Sequence, residues 1–151
     1  MENVKESTVD ILTDILKLHN DRIRGYELAA GDTDFIDLKA LFVGYAEQSR
    51  KMMANLTASI ERAGGTVPET ATFLGQIHKA WMELKTAISS NDRLSILNSV
   101  EQGENAIVDA YKEAVKEDSQ VFMSVRTILL QQQDEIVQAH KHIKALRDTL
   151  N

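Results

Sequence analysis

The sequence predicts an all-α fold, a four-helix bundle of up-down-down-up topology, and three observations predict it. Four long segments repeat apolar residues at the helical period of about 100° per residue, and no segment shows the period-two alternation of a half-buried strand. Breakers are few: Pro68 is the single proline, and of seven glycines only Gly31 and the Gly64-Gly65 pair stand as evident punctuation. The segments are joined by two short turns and one long connection, the pattern of two hairpins linked by a crossover. At 151 residues the chain fits one domain, 1–151, large enough to bury roughly 70% of the surface its unfolded form exposes.

The first helix is read as starting after Ser7, which with Asp10 makes a partial capping box. Its stripe is Leu12, Ile15, Leu16, His19, Ile23, Tyr26 and Ala30. Gly31-Asp32-Thr33-Asp34 ends it and caps the second helix, whose stripe is Leu38, Leu41, Phe42, Tyr45, Ser49, Met52, Met53, Leu56 and Ile60. Gly64 closes that helix in a left-handed cap, and Pro68 prevents its continuation. A shorter amphipathic helix follows, with Phe73, Leu74, Ile77, Trp81, Leu84 and Ile88 on one side and His78, Lys79, Glu83 and Lys85 away from it. At about 16 residues and 1.5 Å per residue it covers ~24 Å, enough to cross along the bundle. Ser89-Ser90-Asn91-Asp92 caps the third long helix, Arg93 to Glu117, which carries Leu97, Val100, Glu104, Val108, Tyr111 and Val115. The fourth uses Val121, Val125, Ile128, Leu129, Gln132, Ile136, Ala139, Ile143, Leu146 and Leu150. Short turns near 31–34 and 118–120 make helices one and two, and three and four, antiparallel hairpins. The crossover leaves helices two and three parallel.

Each long stripe holds one polar residue at its centre: His19, Ser49, Glu104 and Gln132. Counted from the turns they fall at similar heights, which predicts a buried polar layer near the bundle middle. A carboxylate in such a place must be paired, metal-bound or protonated. The partners open to Glu104 are His19, Gln132, a tyrosine hydroxyl or a flanking arginine such as Arg50; those open to His19 are Glu104, Ser49 or a buried water. Tyr26, Tyr45 and Tyr111 read as core aromatics with satisfied hydroxyls, and Glu101, at the stripe's edge, as a rim salt-bridge residue.

Composition narrows the functional classes. Seventeen Lys and Arg against 23 Asp and Glu give a net charge of −6, whereas nucleic-acid binding requires a concentrated basic surface. Lys141, Lys144 and Arg147 complement the C-terminal dipole of the last helix. Cysteine is absent, so disulfides and thiolate sites are excluded. The start lacks an apolar leader, and no run approaches the ~20 residues that span a bilayer. A cytoplasmic protein is expected, without nucleic-acid or membrane partners, acting as a homo-oligomer or with a protein partner. Hydrolase signatures, phosphate-binding loops and dinucleotide fingerprints are missing, so no catalytic or cofactor-binding residues are assigned.

Several ordered motifs, from Asp21, Gly25 and Tyr26 through Gly64, Gly65 and Pro68, then Gly75, His78 and Trp81, to Glu101, Gly103 and Glu104, precede Tyr111 and the tail His142, Ile143, Leu146, Arg147. Together they resemble a bacterial four-helix-bundle family, a domain of unknown function placed with the ferritin-like superfamily. The resemblance implies the ferritin-like bundle and brings no assigned activity. By analogy it raises a di-metal carboxylate centre of iron or manganese, which needs a Glu from each of two helices and Glu-x-x-His from each of the others. The residues three before the four histidines are Leu16, Gly75, Val137 and Ala139, and none is Glu. His140 and His142, two apart, do not share a helix face. The expectation is therefore a non-enzymatic structural or interaction module without a metal. An atypical metal-binding oxidoreductase with His19, Glu101, Glu104 and Glu135 as ligands is the alternative.

Overall fold

The computed structural model describes residues 2–67 and 79–150. Among the described residues there is no strand, and the elements are α1 (Glu2–Asp32), α2 (Ile36–Arg62), α3 (Lys79–Met82), α4 (Leu84–Ser89), α5 (Arg93–Ala114) and α6 (Met123–Asp148). The protein is all-α.

Helix α1 begins upstream of Ser7, which is therefore not its cap. Its early turns are held by tertiary contact: Thr8 is fully buried, and its hydroxyl accepts the main-chain N–H of Phe122, the cap residue of α6, at 3.1 Å. The helix also runs through Gly31 to Asp32. Thr33 shapes the turn rather than capping α2, its hydroxyl accepting the N–H of Phe35 at 3.2 Å. Gly64 does take the left-handed conformation, at φ +83°. Its N–H bonds the carbonyl of Glu61 at 3.0 Å and that of Gly65 bonds Ile60 at 2.9 Å, the pair of reversed bonds that closes a helix at a glycine.

Pro68, expected to bar continuation of the second helix, and Phe73, Leu74, Ile77 and His78 of the expected crossover helix lie outside the described residues. The described part is two short helices, α3 and α4, meeting at Glu83. Its apolar side faces inward as the periodicity requires, with Trp81, Leu84 and Ile88 buried and Met82 exposed. Asp92 caps α5 by accepting from the N–H of Ser95 at 3.3 Å and its hydroxyl at 2.6 Å. That helix stops at Ala114, short of Glu117, because Arg126 of α6 takes the carbonyls of Val115 and Lys116. Val121 precedes α6, whose cap residue is Phe122, instead of belonging to it.

Helix α1 packs along α2 and α5, α5 packs along α6, and α2 meets α6 only lightly. Contacts give the directions. Tyr26 meets Phe42 and Tyr45 while His19 meets Ser49, so α1 and α2 are antiparallel. Tyr111 meets Gln132 while Glu101 meets Arg147, so α5 and α6 are antiparallel. His19 with Tyr111 and Arg22 with Glu104 make α1 and α5 antiparallel. Apolar residues gather into two clusters, one around Tyr26, Phe42, Trp81, Leu97 and Ile143, the other around Leu12, Leu16, Leu56, Ile107 and Ile136. No described helix is long and apolar enough to cross a membrane.

Candidate functional site

Polar side chains occupy the level between the two apolar clusters. His19, Ser49 and Glu104 are fully buried and Gln132 nearly so. Two further residues join them, Arg22, which periodicity alone did not single out, and Tyr111. Arg22 is fully buried on α1. Its Nε–H donates to Glu104 Oε1 at 2.6 Å and its Nη2 to Glu104 Oε2 at 3.0 Å, a bidentate pairing in which both carboxylate oxygens are taken. Its Nη1 donates to Ser49 Oγ at 2.8 Å and to Gln48 Oε1 at 2.9 Å. The rings of Tyr26 and Tyr45 lie 5.3 and 5.5 Å from its Cζ, within cation–π range.

The partner of Glu104 is thus Arg22 and not Arg50, which is half-exposed and pairs with Glu27 at 2.5 Å and Glu47 at 3.3 Å. A signal for Arg22 was present in the sequence. It stands three residues after His19 and four before Tyr26, inside the first stripe, where a long cationic side chain ordinarily escapes to water along its own stem.

Counting hydrogens assigns each remaining role. The main-chain carbonyl of Met52 only accepts, so Gln132 turns its Nε2 toward it, at 3.3 Å. Gln132 Oε1 then accepts the hydroxyl hydrogen of Tyr111 at 2.6 Å. With that hydrogen spent, Tyr111 accepts from His19 Nε2–H at 2.7 Å, and His19 Nδ1, bare, accepts from the hydroxyl of Ser49 at 2.9 Å. Ser49 accepts in turn from Arg22. A single direction of donation runs from the guanidinium through Ser49, His19, Tyr111 and Gln132 to the carbonyl of Met52. His19 meets Ser49 and Tyr111 and is linked to Glu104 only by way of Ser49 and Arg22.

The electrostatics agree with this assignment. Burial, reinforced by the charge of Arg22, holds the His19 imidazole well below its ordinary pKa and keeps it neutral. Burial opposes the charge on Arg22, but Glu104 and the neighbouring tyrosines override it, and the guanidinium pKa is raised. Burial and then the Glu104 charge push Tyr26 and Tyr45 up; burial pushes Tyr111 up. Among these groups the charge is one cation against one anion.

The four candidate metal ligands are not gathered at one point. Glu104 is committed to Arg22. Glu101 sits at the edge of α5, bound by Arg147, with His140 Nε2 at 3.9 Å. Glu135 is exposed on α6. Among the described residues no group of three or more His, Cys, Asp or Glu stands close enough to hold a metal ion. Among the described residues, the four side chains named as ligands therefore do not come together as a di-metal carboxylate set. Access to the polar level comes along the loose α2–α6 seam. One groove of about 650 Å³ there includes Leu41, Tyr45, Gln48, Glu135 and His142, and another of about 440 Å³ includes Gln48, Met52, Asn55, Gln132 and Glu135.

A family model described as "Domain of unknown function (DUF2383)" matches residues 7–117. The match spans His19, Arg22, Ser49, Glu104 and Tyr111 and stops short of α6 with its Gln132. No curated protein matches the chain.

Proposed function

The chain belongs to the DUF2383 family, and we propose that it is a non-enzymatic helical-bundle module, structural or interacting, whose buried polar layer sets the register of its helices. The proposal takes 1–151 as one ferritin-like, cytoplasmic domain of up-down-down-up topology, the segment between α2 and α5 being the crossover. What supports the topology is that α1 runs antiparallel to both α2 and α5, which makes α2 and α5 parallel. A protein partner, another copy or a different chain, fits the acidic balance of −6; nucleic acid does not.

The observation that carries the functional reading is the bidentate grip of Arg22 on Glu104. The guanidinium commits one lone pair on each oxygen of Glu104 and matches its charge, which favours a fixed structural partner over a base or ligand aimed at a substrate or ion. A buried ion pair is seldom more stable than apolar packing of the same volume, and its best-attested use is specification. Sliding α1 along α5 would part Arg22 from Glu104 and strand a buried charge at a cost of about 3–5 kcal/mol, a penalty that an apolar stripe alone does not carry.

The test is the double variant Arg22→Met with Glu104→Leu, compared with wild type by circular dichroism, urea unfolding and NMR. The expected result is a helical protein of undiminished stability whose amide spectrum broadens as alternative packings become populated. Untagged wild-type protein should carry substoichiometric iron and manganese and oxidise added Fe(II) no faster than buffer. Two irons per chain with rapid Fe(II) oxidation, both lost in the double variant, would overturn the reading and make the protein a metal-dependent oxidoreductase.

A further inference from the structure

The middle of α6 carries its charges in an order that a reversed copy of the same helix would match. Asp134 and Glu135 precede Gln138, and Lys141 and His142 follow it. All five side chains are exposed. Asp134 and Lys141 stand seven residues apart, as do Glu135 and His142, and at about 100° per residue a step of seven returns to within about 20° of the same direction. Each acid therefore shares one side of the helix with one base, and Gln138 lies between the two sides.

These charges are not matched within their own helix. Ion pairs on a helix surface need a spacing of three or four, and at that spacing the four residues find Leu, Gln, Val, Ala or Lys but no opposite charge. Among the described residues none of the four is in a salt bridge, whereas Arg147 on the same helix is bound to Glu101 of α5. Lys141 also lies two turns before the end of α6 at Asp148, outside the last turn in which a cation answers the helix dipole. The surface beside them is open, because α6 packs along α5 but meets α2 only lightly. The groove of about 650 Å³ there is lined from α6 by the same five residues with Ala139, and from α2 by Leu41, Tyr45 and Gln48. The α2 wall is uncharged and half-buried, so apolar and aromatic surface adjoins a polar border, as at protein–protein contacts.

We propose that this face is a homodimer interface, in which α6 of a second copy lies antiparallel to α6 about a two-fold axis at Gln138. The axis sets Asp134 opposite the partner's Lys141 and Glu135 opposite the partner's His142, and each pair occurs twice. At 1.5 Å rise per residue the members of a pair differ by only about 1.5 Å in height along the helices. A foreign helix would need only a complementary row of charges, whereas a row that matches its own reverse is what a two-fold contact between identical chains requires. This inference rests on the reading of the chain as an interacting module and names the partner as another copy; the buried polar layer takes no part in it.

Sedimentation velocity of the intact chain over a concentration series should show monomer in exchange with dimer. Asp134→Lys sets lysine against lysine and Lys141→Glu sets acid against acid, so each variant should lose the dimer while keeping native ellipticity and Tm, both positions being exposed. Asp134→Lys with Lys141→Glu in one chain reverses every such pair and should dimerise again. Mixing the two single variants should give a heterodimer, matched at both contacts. A wild-type monomer at every concentration would overturn the proposal, as would a dimer that survives either single reversal or a double variant that stays monomeric. None of these variants touches Arg22 or Glu104, so the register reading stands or falls separately, by its own double variant.

Discussion

His19 shows how a buried titratable group is constrained by hydrogen counts as well as by burial. Its Nδ1 must accept from Ser49, because Nε2 must donate to Tyr111. Protonation would place a second cation beside Arg22. The folded pKa is depressed below the ordinary value of 6.5, so the unfolded chain takes up a proton first as pH falls. The sign follows: stability from this group is complete above about pH 6.5 and is lost below it, with a limiting slope of about 1.4 kcal/mol per pH unit. Urea midpoints measured across the unit below pH 6.5 should therefore fall, and His19→Gln should flatten that dependence; a profile unchanged by the substitution would contradict a neutral His19. Arg22 predicts differently. Arg22→Met alone strands the Glu104 carboxylate in the core and should cost about 3–5 kcal/mol, most of it regained when Glu104→Leu is added. Equal losses in single and double variants would show that the stranded carboxylate is not what destabilises the single variant.

At the scale of the element, two glycines that look alike as punctuation behave in opposite ways. Gly64 holds φ at +83°, where a Cβ meets the carbonyl of its own backbone, so Gly64→Ala should lose about 1–2 kcal/mol. Gly31 lies within α1, and nothing is within 4 Å of where its Cβ would stand. Gly31→Ala should gain up to about 1 kcal/mol from helix propensity. Thermal unfolding of the two variants checks both, and a common sign would mean that one of the two backbone conformations is not as described. Asp92 was readable as a cap because the residue type, its place after a polar cluster and the start of an apolar period coincide. The true start of α1 was not, because what holds its first turns is Thr8 bonded to Phe122, 114 residues away.

Across the whole molecule, the polar layer ties together helices that are unequally packed. α1 supplies His19 and Arg22, α2 supplies Gln48, Ser49 and the Met52 carbonyl, α5 supplies Glu104 and Tyr111, and α6 supplies Gln132. Gln132 is the link of α6 to this chain of donors, on the side where α6 touches α2 least. Gln132→Leu removes the acceptor of the Tyr111 hydroxyl and should cost about 1–3 kcal/mol. Hydrogen exchange in that variant should accelerate first along α6 and last along α1 and α2. Uniform acceleration would mean that α6 is held by its apolar contacts alone.

Local features were legible in the chain before any fold was known. A 3.6-residue period can be read within one segment, and it marked four helices, their buried faces, and the stripe centres His19, Ser49, Glu104 and Gln132. Which of these groups meet was settled only in three dimensions. Arg22 stands inside the first stripe and Arg50 beside the second, which marks Arg22 as the one turned inward, but nothing within its own segment says that it meets Glu104. That meeting depends on the register of α1 against α5 across 82 residues of chain. Gly25, Trp81 and Gly103 were visible as separate motifs but became one packing unit only where α1 and α5 approach. Burial follows from the periodicity of a single helix, whereas pairing follows from the relative translation and rotation of two, to which no one segment's pattern is sensitive.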